Sequence, residues 1–298
     1  MSQKLPFFSI IIPTFNRPVQ LAICLQSLAH QDYSREHFEV ILVDDGSKTP
    51  PEAVVSSFQN RLNLTLVTQP HSGPAMARNK GAARAKGEFL DFTDDDYTLS
   101  PHWLKALATR FAGTPDNMIG GRTLNMLLNN PYSTASHLLI EYLYSYYNAN
   151  PDRAQFFTSN NLTLPTDPFH KIGGFDIFFP CAAAEDREFC ERWLRYGHRM
   201  IYAPEVLVYH AHALTFRAFW RQHFNYGRGA FRFRQVHSQR SLNWIKLEPL
   251  PFYLNLLRYP FIQKRGCRAL FMTGLLVISQ VANIVGFLWE SLKQTQRR

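Results

Sequence analysis

FEVILVDDGS, residues 38–47, is a run of mostly apolar, β-branched residues that passes directly into two aspartates and a glycine. A strand that is apolar at successive rather than alternate positions is covered on both faces, as strands of parallel sheets are. The same punctuation repeats on either side. FFSIII (7–12) precedes a helical pattern from Pro18 to about Ala29, a second helix is predicted after Pro50 and Pro51, and LTLV (64–67), a helix over Ala75 to Ala85 and EFLDF (88–92) follow. The pattern predicts an open, mainly parallel α/β sheet. Ligands of such sheets collect beyond the carboxyl ends of the strands. Three of those ends carry polar clusters: Pro13 to Arg17, Asp44 to Ser47, and Thr93 to Asp96. Ser100 reads as a helix N-cap with Pro101 in the first turn, which puts the aspartates in a short strand-to-helix loop.

Composition narrows the class. The chain has 298 residues, 46% of them hydrophobic, enough for one large domain and an appendage. A net charge of +9 calls for an anionic partner, and its placement is local: Arg217, Arg221, Arg228, Arg232, Arg234, Arg240 and Lys246 fall in a stretch without an acidic residue. Arginines interleaved with aromatics there (216–235) also suit nucleic acid. The stretch abuts an apolar segment, however, so an interfacial helix on anionic lipid is the simpler account, with no nucleic-acid partner. ALFMTGLLVISQVANIVGFLW (269–289) is uncharged and, at 1.5 Å per residue, long enough for a bilayer core of roughly 30 Å. Cys24, Cys181, Cys190 and Cys267 lie too far apart for a metal motif and read as reduced structural thiols. The N-terminal apolar stretch has no cleavage pattern, which predicts that the bulk of the chain is cytosolic. Between Ile119 and Leu164 the alternation loosens, and a helix and a strand are expected to roof an acceptor side. A helix from Glu185 and a β-rich run over 200–212 complete the globular part.

Asp94, Asp95 and Asp96 repel one another unless a cation neutralises them. Hard oxygen ligands suit Mg²⁺ or Mn²⁺, which bridge the phosphates of a nucleotide diphosphate, although an isolated triple aspartate is ordinarily a solvated turn. Asp44 and Asp45, ahead of Gly46, offer carboxylates to a base or ribose, or else cap the next helix. Glu185 and Asp186 suit the first turn of a helix electrostatically.

SIIIPTFNRP, VDDGS, GPAMARNKGAARAKGEFLDFTDDD, GGFD and EDREFCERWLRYG, in this order, resemble the inverting glycosyltransferases of family 2, over about residues 7 to 215. The resemblance implies a GT-A fold, a Rossmann-like nucleotide-diphospho-sugar transferase. It implies that Pro13, Thr14, Phe15, Asp44 and Asp45 line the base and ribose pocket, with Arg78 near the base and diphosphate. Asp94 and Asp96 then form the metal-binding DxD motif, Asp95 being its middle residue beside the nucleotide sugar. Asp186 becomes the general base and His210, with His212 two residues on, a histidine near the metal. Asn160, Asn161, Glu185, Arg192 and Trp193 fall on the acceptor side. The function implied is metal-dependent, inverting transfer of a sugar from a UDP-, GDP- or dTDP-sugar to a saccharide or lipid-linked acceptor, at the cytoplasmic side of the cell membrane. The expected division is a transferase domain over 1–212, a basic interfacial segment over 213–263 and a hydrophobic helix with a basic tail over 264–298. Two rivals are a membrane-associated scaffold with a degenerate site and a sugar nucleotidyltransferase; the Gly-rich, lysine-bearing loop of the latter is missing near the first strand.

Overall fold

A computed structural model describes residues 5–179, 183–240, 248–263 and 265–295. Cys181, Lys246 and Lys264 lie outside the described residues, as do Arg297 and Arg298. The chain forms two compact units: Met1–Leu124, Asn148–Pro180 and Asp186–Ala211 make the first, and Asn125–Tyr147, Cys181–Glu185 and His212–Arg298 the second. Residues 125–147, grouped by sequence with the N-terminal domain, thus cluster with the C-terminal helices.

In the first unit, β1 (Phe8–Thr14), β2 (Phe38–Asp44), β3 (Leu64–Thr68) and β4 (Phe89–Thr93) are parallel, in the order β3-β2-β1-β4. β2 is buried at every position, as its unbroken apolar run requires. α1 (Pro18–Leu28) starts with its proline in the first turn, where no N–H is needed, and packs Leu21, Cys24, Leu25 and Leu28 into the core. α2 (Glu52–Phe58) and α3 (Pro74–Ala82) complete the βαβ units.

Beyond β4 the sheet changes character. β5 (Tyr97–Leu99) follows the three aspartates and is succeeded by α4 (Trp103–Gly113) and β6 (Met118–Asn125). After α5 (Pro131–Tyr147) come β7 (Asn161–Pro165), α6 (Thr166–Ile172), α7 (Glu185–Arg195) and β8 (Met200–His210). β7 joins β4 and β6 antiparallel, β5 joins β8 antiparallel, and the full order is β3-β2-β1-β4-β7-β6-β8-β5. The sheet is therefore mixed, parallel in the half where β1 to β4 end and antiparallel beyond it. The helix predicted at Ser100 and Pro101 is corrected. The Ser100 N–H donates to the Leu207 carbonyl as the β5 pairing ends, and α4 begins only at Trp103.

The second unit is helical, with α5, α8 (Phe216–Arg240), α9 (Leu250–Gln263) and α10 (Cys267–Thr295). α8 and α10 meet backbone to backbone. A Cβ on Gly227 would stand 1.8 Å from the Asn283 carbonyl oxygen and one on Gly286 would stand 1.9 Å from that of Phe224, so neither position accepts a side chain. Arg228 and Arg232 both donate to the buried Glu290 carboxylate, at 2.7 and 2.6 Å. A buried carboxylate without such partners would be strongly destabilising. α10 is long and apolar enough to cross a membrane, the one such helix among the described residues. One of its faces is packed. The other presents Leu270, Val277, Val281, Ile284, Leu288 and Leu292, all exposed.

Candidate active site

The site is assembled in the first unit, where β1, β2 and β4 end. Asp45 follows β2, and its N–H donates to the Thr14 carbonyl at 2.9 Å, which ties the two strand ends together. Gly46 turns the chain with φ +80°, and a Cβ there would lie 2.8 Å from the His71 nitrogen, so the turn requires glycine. Asp44 directs its carboxylate at the Ser47 N–H, at 3.1 Å. It caps the turn and is 4% exposed.

Asp45 is also engaged. Its Oδ1 accepts from Gln69 Nε2 at 2.7 Å and from the Ser72 N–H at 2.8 Å; its Oδ2 accepts from the Gly73 N–H at 2.9 Å and lies 2.9 Å from His71 Nδ1. The His71 ring stacks on Phe15, with centroids 4.2 Å apart and planes 22° from parallel. Pro13 belongs to β1 and shapes its end.

The three aspartates separate by direction. Asp94 accepts from Arg78 Nη2 at 2.8 Å. Asp95 turns inward, 3% exposed, taking the Thr14 hydroxyl at 2.7 Å and Arg17 Nη1 at 3.1 Å. Burial pushes its carboxyl up to about 6, against the opposing pull of Arg17 and the Thr14 hydrogen bond. Asp95 thereby holds Thr14 and Arg17 in position. Asp96 accepts from Arg17 Nη1 at 2.9 Å and faces His210 Nε2 at 3.4 Å. The His210 ring lies flat on Tyr97, centroids 4.2 Å apart and planes 8° from parallel, because β5 and β8 place these residues opposite one another.

Arg78 connects this cluster to the start of α7. It is 2% exposed, lies over the Phe175 ring at 5.7 Å, bonds Asp94, and its charge acts on Asp186. Burial raises the Asp186 carboxyl above the usual carboxylate range, and the Arg187 N–H together with the Arg78 charge opposes that rise. A half-buried carboxylate with raised basicity is what a general base needs.

Three residues expected on the acceptor side, Asn161, Trp193 and Arg192, are engaged in bonds within the fold. Asn161 is 1% exposed; its Oδ1 accepts from Trp103 Nε1 at 2.9 Å and its Nδ2 donates to the Val206 carbonyl at 2.9 Å, bracing the sheet. Trp193 is fully buried and donates to the Arg199 carbonyl at 2.9 Å. Arg192 pairs with Glu188 at 2.7 Å and donates to the Ile172 and Gly174 carbonyls, so it holds the GGFD turn and not Asp186. Glu185 is buried at the head of α7. Asn160 remains near the site, donating to the Tyr97 hydroxyl at 2.6 Å. Sequence reasoning missed Gln69 and His71 as partners of Asp45 and missed the role of Tyr97. The one available signal was the position of Tyr97 directly after the aspartates.

The donors that meet are Asp96 and His210, 3.4 Å apart, a carboxylate oxygen and an imidazole nitrogen whose chemistry suits a divalent cation, while Asp94 is bonded to Arg78.

Residues 9–180 match the model of glycosyl transferase family 2. The validoxylamine A glucosyltransferase of Streptomyces hygroscopicus subsp. jinggangensis is 29% identical over 232 residues, covering 68% of this chain and 55% of that protein. Glycosyltransferase AglE of Haloferax volcanii is 25% identical over 238 residues, 77% of this chain and 74% of its own length. The chain spans about half the length of the Streptomyces relatives it matches. Among solved structures, the mannosyltransferase PcManGT of Pyrobaculum calidifontis, in complex with GDP-Man and Mn²⁺, superposes with a TM-score of 0.65 at 18% identity, covering 95% of this chain and 88% of that one. TarS 1-349 of S. aureus in complex with UDP-GlcNAc gives 0.56 at 20% identity, over 98% and 92%. At those identities the structures speak for the fold, which is GT-A. With that fold, five family strings in order and a family model over more than half its length, this chain belongs to glycosyl transferase family 2.

Proposed function

We propose that the chain is a metal-dependent, inverting glycosyltransferase that moves a sugar from a nucleoside diphosphate donor to an acceptor hydroxyl on a lipid-linked or cell-surface glycan, at the cytoplasmic face of the membrane. The observation that carries this reading is Arg78, a buried guanidinium that bonds Asp94 and whose charge reaches Asp186. One cation thereby couples the acidic cluster to the basic carboxylate.

In this reading Asp94, Asp96 and His210 would hold Mg²⁺ or Mn²⁺, and His212, two residues beyond His210 in sequence, would be a further donor candidate. When bound, the ion stabilises charge on the departing diphosphate. The chain's own residues do the rest. Asp186 accepts the proton of the acceptor hydroxyl as its oxygen bonds to the anomeric carbon, while the bond from that carbon to the diphosphate oxygen breaks on the opposite face. A single displacement inverts the anomeric configuration. Arg78 supplies fixed positive charge beside the diphosphate, already oriented by Asp94.

Purified protein incubated with UDP-, GDP- and dTDP-sugars is expected to release one nucleoside diphosphate in Mn²⁺ and none in EDTA. Failure of every donor to bind with Mn²⁺ present would sink the transferase reading and favour a scaffold. The membrane part rests on the bare apolar face of α10, with arginines on α8 and at the helix ends. Flotation with vesicles containing phosphatidylserine is expected to carry the protein, and recovery is expected to fall when Val281, Ile284 and Leu288 are together replaced by Ser. Equal flotation of the triple variant would refute the lipid-facing role of that face.

A further inference from the structure

His210 is the last residue of β8 and Tyr97 the first of β5, and the antiparallel ladder sets them directly opposite one another. Cross-strand partners share a face of the sheet, and here the two rings lie flat together, centroids 4.2 Å apart and planes 8° from parallel. Tyr97 is itself pinned. It is 4% exposed, its hydroxyl accepts from Asn160 Nδ2 at 2.6 Å, and Asn160 Oδ1 in turn accepts from the Thr158 hydroxyl at 2.8 Å. The His210 side chain, by contrast, is 24% exposed. Asp96 directly precedes Tyr97 in the chain, so one peptide link and one rung of the ladder set the 3.4 Å between Asp96 Oδ2 and His210 Nε2. Two donors side by side on one small divalent cation, each about 2.1 Å from it, lie roughly 3 Å apart. The observed spacing is close to that.

We propose that Tyr97 is a positioning residue for the divalent cation: its ring, held by Asn160, is a platform that keeps the His210 imidazole in the plane and rotation at which Nε2 meets Asp96. This rests on the metal-dependent reading and deepens it. A histidine side chain turns about two bonds, and a platform that fixes the ring plane removes that freedom before a cation arrives, as contacts behind a ligand do. An aromatic platform also responds to the cation. An imidazole that gives a lone pair to an ion becomes electron-poor, and its attraction to the electron-rich face of a neighbouring ring grows. An aliphatic side chain of similar size fills the space but gives neither the flat support nor that attraction. The stack is therefore the active feature of Tyr97, and the hydroxyl serves to anchor it.

The test is Mn²⁺ titration followed by electron paramagnetic resonance, with spin-echo modulation to read any nitrogen coupled to the ion. The proteins compared are the wild type, Tyr97→Phe, Tyr97→Leu, His210→Ala and the Tyr97→Leu/His210→Ala double variant. The wild type is expected to show imidazole nitrogen coupling, and His210→Ala to lose it. Tyr97→Phe keeps the stack and should keep the coupling, with Mn²⁺ affinity within about fivefold of wild type, the size of one lost hydrogen bond. Tyr97→Leu should weaken Mn²⁺ about tenfold or more and lose the coupling, as removal of a partner behind a metal ligand does. The double variant should bind no more weakly than His210→Ala, because Tyr97 acts only through that histidine. If leucine disturbs β5 in circular dichroism, Tyr97→Val, whose β-branched side chain suits a strand, takes its place and should read the same. Wild-type affinity and coupling in the aliphatic variant, a loss in Tyr97→Phe as large as in Tyr97→Leu, or losses that add in the double variant would each overturn the proposal. A wild type without nitrogen coupling would remove His210 from the ligands and the role of Tyr97 with it, and donor binding would still decide the transferase reading separately.

Discussion

Replacing Asp186 by Asn is expected to lower sugar transfer at least a hundredfold while donor affinity changes by less than about twofold. The amide has the shape of the carboxyl and can still accept from the Arg187 N–H, which now bonds Oδ1 at 2.8 Å, so α7 keeps its first turn. What the variant cannot do is take a proton, and positioned general bases contribute roughly 10²–10⁴ in rate. The wild-type pH profile carries the same signature. As the proposed general base Asp186 would act deprotonated, and burial raises its carboxyl, so the rate should climb with pH through a midpoint higher than that of an exposed aspartate. In Asp186→Asn the residual rate should lose that limb. Residual activity within tenfold of wild type, with the acid limb intact, would show that another group takes the proton.

The second large effect is expected at Asp96. Asp96→Ala removes the carboxylate that both Arg17 and His210 face, at 2.9 and 3.4 Å. Arg17 retains Asp95, so the loop after β4 should stay folded, and circular dichroism should be unchanged. Mn²⁺ binding, followed by its electron paramagnetic resonance signal, should weaken about a hundredfold or more, and transfer should fall by at least the same factor. Loss of one well-placed charge-stabilising group at a reacting centre is worth about 10²–10³ in rate. Mn²⁺ affinity equal to that of the wild type would remove Asp96 from the ligand set and turn attention to Asp94.

The parallel half of this fold is legible in sequence because its signals are local. The apolar run at 38–43 became β2, Pro18 opened α1, and each polar cluster appears at the strand end where it was expected. β5 was not legible. Three residues carry no period, and the strand exists only because β8, far along the chain, offers a partner. The same limit hides the bonds that Asn161, Trp193 and Arg192 make within the fold. Their residue types suit sugar recognition, yet a strand has two faces and a helix has several, and which one is buried is decided by neighbours that sequence spacing does not name. His71 and Gln69 were overlooked for a related reason: they converge on Asp45 through a loop whose shape is set by Gly46 and Gly73, both at positive φ. Resemblance to the family favours Asp94 and Asp96 as the DxD pair and leaves the register among the three aspartates open, while the fold and the family were borne out.

The pairing of Tyr97 with His210 also bears on the order in which the protein becomes competent. Strands β1 to β4 close on one another through short βαβ connections, contacts that form early because little chain must be looped to make them. The Asp96–His210 pair depends instead on two strands far apart in sequence, β5 (Tyr97–Leu99) and β8 (Met200–His210), and it does not exist until β8 has docked on the three residues of β5. A nascent chain that has emerged only as far as α6 already contains every strand that frames Phe15 and Asp45, but it has no histidine opposite Asp96. That last ladder, with its long sequence separation, is expected to form after the parallel strands, and only then does Asp96 gain its imidazole partner.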